Sequence, residues 1–202
     1  MRKVDPVKHE EKREEILAAA ERCFARSGFH GATIAQICDE AAISPGHLYH
    51  YFASKEAIIG AITRAGLEYT KARFAEVGED QDPIQTLVYE FERLKALNKT
   101  KSGVLLDVLA EAARNPAIGK ILQDTSEDMR QLVAEFLRRG QADGQIDPDL
   151  DADVASALLI SVIDSLKTLP IRAPNIDPKR SADVLDKMIT RFLSPPFGAS
   201  EF

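Results

Sequence analysis

The sequence predicts an all-α protein, and three observations carry that expectation. Apolar residues recur at spacings of three and four nearly throughout. No stretch alternates with period two for long enough to make a strand. Helix-start signals stand at Thr33, Ser44 and Ser54, and breaks fall at Gly28, Gly78–Pro83, Asn115-Pro116 and Pro170–Pro178.

Taken in order, the first helix runs from about Lys8 to Ser27, with Ile16, Leu17, Ala20, Cys23 and Phe24 on one stripe and Gly28 placed to stop it. Thr33-Ile34-Ala35-Gln36 has the form of a capping box and opens a short helix to about Ala41. Ser44-Pro45 opens a third, from Pro45 to Tyr51, because serine caps and proline has the φ of a first helical position. Ser54 caps a fourth that reaches about Glu76. Beyond the break come helices from about Ile84 to Leu97, Ser102 to Arg114 and Ala117 to Arg139, the last ended by Gly140. The stretch from Asp151 to Leu169 is apolar almost all round, so it needs cover on more than one side. A last helix, from Ser181 to Leu193, carries Val184, Leu185, Met188, Ile189, Phe192 and Leu193, and Ser194 to Phe202 reads as a frayed tail. The division implied is residues 1–54 as one domain and 55–202 as a second, with helix 55–76 as connector.

The 202 residues are 45% hydrophobic and 29% charged, enough for a core without disulfides or a structural metal. Two cysteines, Cys23 and Cys38, form no metal-binding or disulfide pattern. No apolar run approaches a membrane span, and Met1 to Glu15 is mixed-charge without the apolar centre of a signal peptide, so the expectation is a soluble protein of the reducing cytoplasm. The net charge of −6 argues against a protein that coats nucleic acid nonspecifically and leaves open a small reader whose basic and neutral residues are segregated. Most of the acid excess falls beyond residue 57, which leaves the first part nearly neutral.

That first part holds the informative block, TIAQICDEAAISPGHLYHYFASK from Thr33 to Lys55. Two short helices joined by a tight turn form a helix-turn-helix, whose second helix can enter a DNA major groove. Four features favour that use. The third helix has chiefly Leu48 and the following Phe52 as core anchors, and a helix so poor in core contacts is costly unless its outward face is used. Gly46 sits in the first turn, where glycine costs helix stability but admits close approach of bases. Its tyrosines and histidines have the reach of phosphate contacts. Lys55 opposes the dipole of the helix it begins, a sign that a phosphate held there would reverse. Each feature alone fits a solvated helical hairpin; jointly they favour DNA.

With Gly28-Phe29, Thr33, Ile37, Ala41, Ser44, Gly46, Leu48-Tyr49, Tyr51-Phe52 and Ser54-Lys55-Glu56, the segment resembles the N-terminal domain of the tetracycline-repressor (TetR) family. The resemblance implies that Pro45, Gly46 and His47 face bases, and that Thr33, Ser44, Tyr49, Tyr51 and Lys55 touch the DNA backbone, with His50 a further candidate at a variable position. It also implies a ligand-binding and dimerisation domain, a palindromic double-stranded operator, and a small-molecule inducer that releases a homodimeric repressor. The all-round apolar helix independently supports a dimer, through Leu158, Leu159, Val162, Ile163 and Leu166 with Leu185, Met188, Ile189 and Phe192. Candidate ligand contacts are Tyr89, Asp107, Glu111, Phe136 and Asp164.

All four histidines and both cysteines precede residue 60, so the larger part has no histidine base, thiol nucleophile or His/Cys metal site. No cofactor, metal or catalytic residue is expected. Two rivals remain: an adaptor that binds a protein in place of DNA, and a carboxylate-based enzyme using Asp107 and Glu111.

Overall fold

In a computed structural model of the chain, residues 5–76, 82–97, 102–166 and 168–196 are described, with backbone alone for 91–97, 102–105 and 178. The tail from Gly198 to Phe202 and the break at Gly78–Gln81 lie outside the described residues. Ten helices and no strand lie among those described: α1 (Pro6–Gly31), α2 (Ile34–Glu40), α3 (Pro45–Tyr51), α4 (Lys55–Ala75), α5 (Pro83–Leu97), α6 (Ser102–Ala112), α7 (Pro116–Ala142), α8 (Ala152–Leu166), α9 (Leu169–Arg172) and α10 (Pro178–Leu193). The all-α expectation holds, and α9 is a four-residue turn of helix inside the expected Pro170–Pro178 loop.

The chain packs as two units, Met1–Glu68 with Thr100–Thr125, and Tyr69–Lys99 with Ser126–Phe202. The first unit, the head, does not follow the expected boundary at residue 54. Helices as short as α2 and α3 are not stable alone, and they bury only Ile37 and Cys38, and Leu48, respectively. The core is completed by Ile16, Phe24 and Phe29 from α1, Ile58 and Ile59 from α4, Val108 from α6 and Ile118 from α7. Residues 55–68 and 100–125 therefore pack with the head. Within it α1 packs on α2 and α6, and α2 on α3.

Local signals explain the joints. Asp5 caps α1, accepting from the Val7 N–H. Gly28 does not end α1 but kinks it, at φ 69° and ψ 169°, before a final turn to Gly31. That conformation is almost exclusive to glycine, and a Cβ there would lie 2.6 Å from Asp107 Oδ2. At α2 the capping box closes both ways: Gln36 N–H donates to Thr33 Oγ1 at 3.2 Å, and Thr33 N–H to Gln36 Oε1 at 2.9 Å. Ser44 caps α3 by accepting from His47 N–H, and Ser54 accepts from Ala57 N–H at the start of α4.

In the second unit α5 packs against α10 and α8, around Phe74, Leu87, Val133, Leu137, Leu159, Ile163, Leu185 and Ile189. Arg130 and Arg138 of α7 both grip Asp153 of α8. Their hydrogen bonds, Arg130 first, hold its carboxyl below the ordinary aspartate value. Gly140 was expected to end α7; the helix continues to Ala142, and Gly140 is buried where a Cβ would meet Ile146 at 2.6 Å. The close approach of Ile146 is the reason for that glycine, and the chain turns out of α7 at Gly144, φ 69°.

Gly28→Ala is expected to lower stability by about 1–3 kcal/mol through backbone strain, measurable by urea denaturation. A change near zero contradicts the strain.

Candidate functional site

The outward face of α3 is set by its one core anchor. Leu48 is fully buried, while Pro45, Gly46, His47, Tyr49 and His50 are exposed and Tyr51 is half-buried. Pro45, Gly46 and His47 share the first turn, and a Cβ on Gly46 would meet no atom within 4 Å. No protein atom therefore requires glycine at this point. Tyr49 is 53% exposed next to that turn. Thr33 and Ser44 are exposed, with their oxygens committed as acceptors in the caps; the Thr33 hydroxyl also donates to Gln36 Oε1 at 3.2 Å, while that of Ser44 is still able to donate. The structure thus brings the expected base-facing and backbone-facing residues of α3 onto one exposed surface.

Lys55 is placed differently from the expectation. Its ammonium turns inward, donating to the carbonyls of Phe29 at 2.6 Å and Ala32 at 3.0 Å, and stands 4.4 Å from the centroid of the Phe29 ring. Those acceptors offset the unfavourable position of a cation at a helix start, with one N–H left over. The conflict with the dipole is visible in the local sequence and its resolution is not, because the partners are 23 and 26 residues away. Nearby, Glu40 of α2 accepts from Arg22 at 2.7 Å and Arg26 at 2.6 Å on α1. Those bonds, Arg22 first, hold its carboxyl below the ordinary glutamate value. Glu56 is likewise held low, chiefly by its own backbone N–H and then by the Ser54 hydroxyl, with Asn115 contributing less.

The five candidate ligand residues are not brought together. Asp107 and Glu111 belong to the head: Asp107 lies over Gly28, and Glu111, mostly buried, faces His30 Nδ1 at 3.5 Å and Arg114 at 3.8 Å. Phe136 is core, edge-on to Phe74 at 5.0 Å, and Asp164 is half-buried on α8. Tyr89 lines a cleft of about 590 Å³ with Arg73, Glu76, Asp82, Gln85, Thr86 and Glu90. Glu90, 2% exposed, was missed; it accepts from Arg73 Nε at 3.3 Å and Nη2 at 3.2 Å. Its place three residues after Leu87, on the apolar stripe of α5, was the available signal.

The expected dimer set divides in two. Leu159, Ile163, Leu185 and Ile189 are core of the unit itself, because α5 covers them; Val162 and Leu166 are half-buried. Leu158, Met188 and Phe192 are exposed, joined by Val154 and Val184, which sequence reasoning left out. Among the described residues no group of three or more His, Cys, Asp or Glu is placed to hold a metal, and no helix is long and apolar enough to cross a membrane.

Lys55→Met, which keeps the stem and removes the ammonium, is expected to destabilise the head by about 2 kcal/mol, the usual worth of a charged hydrogen bond. Thermal unfolding tests it, and an unchanged midpoint assigns Lys55 no internal role.

Residues 16–62 match the model of bacterial regulatory proteins of the tetR family, and residues 81–194 that of the BetI-type transcriptional repressor C-terminal domain. The chain is 37% identical over 153 residues to the HTH-type transcriptional regulator UidR of Escherichia coli K12, covering 74% of this chain and 76% of that one. It is 30% identical over 147 residues to the HTH-type transcriptional repressor KstR2 of Mycobacterium tuberculosis H37Rv, 71% of this chain and 73% of that one. Among solved structures, Salmonella enterica GusR superposes with TM-score 0.78 at 28% identity, over 96% of this chain and 99% of that one. Bacillus subtilis FadR, solved with stearoyl-CoA, shares the fold at TM-score 0.72 and 18% identity, over 89% and 98%. These matches cover both the head and the second unit, and together with the exposed face of α3 they establish that the chain belongs to the TetR family of DNA-binding transcriptional regulators, which are not enzymes.

Proposed function

We propose that the protein is a homodimeric repressor of the cytoplasm that binds a palindromic operator and is released by a small-molecule inducer. The observation that carries the DNA contact is the division of α3 into one buried leucine and an outward face of Pro45, Gly46, His47, Tyr49 and His50. Pro45, Gly46 and His47 read bases, while Thr33, Ser44, Tyr49, His50 and Tyr51 hold the sugar-phosphate backbone. Lys55 acts there indirectly, by fixing the Phe29–Ala32 turn. A nearly neutral head makes few ionic contacts, so affinity depends on placed hydrogen bonds more than on charge.

A dimer through the exposed Val154, Leu158, Val184, Met188 and Phe192 covers apolar surface that a monomer leaves in water. It also sets two copies of α3 at the roughly 34 Å repeat of successive major grooves. Inducer binding in the second unit changes the spacing of the two heads, so release is a difference in affinity between two dimer geometries. The cleft at Tyr89, Arg73 and Glu90 is the place assigned to it. The adaptor reading lacks a comparable observation.

A footprint of the upstream region of the protein's own gene tests the proposal, and absence of protection at several salt concentrations sinks it. Gly46→Ala is expected to leave stability equal or up to about 1 kcal/mol higher, since alanine is the better helix former, while operator affinity drops at least about tenfold. Equal affinity would move base contact elsewhere. Val184→Glu with Met188→Glu is expected to give a folded monomer in analytical ultracentrifugation with operator binding lost, and a persisting dimer refutes this face.

A further inference from the structure

Three of the chain's four histidines gather on one tyrosine of the reading helix. His9, in the first turn of α1, lays its ring on Tyr51 with centroids 4.6 Å apart and planes at 32°. His47 reaches the same ring at 5.4 Å and His50 at 5.6 Å, edge-on. His9 also meets His50 edge-on at 6.2 Å. His9 and Tyr51 are half-buried, His47 and His50 exposed. Leu48 anchors α3, and Tyr51 packs partly against the head core.

The charged groups on the surrounding elements are mostly committed elsewhere. On α1, Arg13 donates to Glu10 at 2.8 Å and stands over Phe52, Lys12 pairs with Glu15, and the Asp5 carboxylate caps Val7. On α2, Glu40 is taken by Arg22 and Arg26; at the start of α4, Lys55 is turned to Phe29 and Ala32. Lys8 and Asp39 are exposed. Among the described residues no carboxylate pairs with His9, His47 or His50. Charge placed on these rings meets other rings on the protein side, and its natural counter-charge is a row of phosphates.

Imidazole is the side chain that changes charge between pH 5 and 8, and an imidazolium beside a phosphate both donates a hydrogen bond and neutralises charge. We propose that His9 is a positioning residue of the operator interface, holding Tyr51 and His50, and that His9, His47 and His50 make operator binding take up protons. Linkage fixes the sign: a complex that holds more protons than its free components is favoured as pH falls. Operator affinity therefore rises from pH 8 to pH 6. This rests on the reading that α3 faces DNA, and it adds a residue from α1 and a chemical sensitivity to that reading.

The experiment is fluorescence anisotropy of the full chain with a duplex selected by it from a random-sequence pool, at about pH 6 and about pH 8 and constant ionic strength, with folding followed by circular dichroism. The wild type is expected to bind at least about tenfold tighter at the lower pH, the change that uptake of a single proton over part of the interval produces. His9→Phe keeps a ring on Tyr51 and cannot take a proton; it should reduce the pH ratio at least about twofold and retain more of the pH 8 affinity than His9→Ala does. His9→Ala should weaken binding at pH 8, with Phe as the rescuing residue. His30→Gln, outside the cluster, should keep the wild-type ratio. A flat wild-type profile, or an unchanged ratio in both His9→Phe and His50→Gln, overturns the proposal while the α3 reading stands. If His47→Ala and Tyr49→Phe leave affinity unaltered at both pH values, the α3 reading falls and the proposal with it.

Discussion

The ammonium of Lys55, bonded to the carbonyls of Phe29 and Ala32, is the contact on which the head depends. Helix α3 has one fully buried residue, and α2 has two. Neither is long enough to hold its shape by propensity. Their placement is inherited from the turn that leads out of α1, where Gly28 bends the chain, Asp107 closes over it, and two carbonyls would otherwise be left without donors. Lys55 supplies both donors from the start of α4 and binds the two ends of the helix-turn-helix to each other. The capping box at Thr33 and the ion pairs of Glu40 then fix α2 against α1.

A head built this way cannot stop where its motif stops. Ile58 and Ile59 from α4, Val108 from α6 and Ile118 from α7 are as much a part of its interior as Leu48 is. The two packing units are consequently interleaved in the sequence, with α4 and α7 each contributing residues to both. A two-domain account with a connector helix understates how much of the later sequence the reading helix needs.

Elements defined by local chemistry were legible in the sequence: α3 has the expected bounds, and the caps at Thr33, Ser44 and Ser54 are formed as the residue types imply. The outward face of α3 was legible for the same reason, since a helix with one leucine among glycine, histidine and tyrosine has little else to do. Partners distant in sequence were not legible. Lys55 was read as a phosphate ligand because its carbonyl acceptors lie more than twenty residues upstream. Gly140 was read as a stop because the isoleucine pressing on it comes after the turn. Leu159, Ile163, Leu185 and Ile189 were assigned to a partner subunit because α5, which covers them, gives no sign in its own sequence of which helices it will meet. Periodicity shows that a face is buried and is silent on what buries it.

The two cysteines acquire a use from where they sit. Cys23 and Cys38 are the only thiols in the chain; each is 2% exposed inside the head core, and burial pushes both thiols above their ordinary values. A thiolate is the reactive form, so alkylation of either must wait for the head to open. The second unit is silent to the same reagents. Labelling kinetics therefore form a built-in clock for local opening of the head.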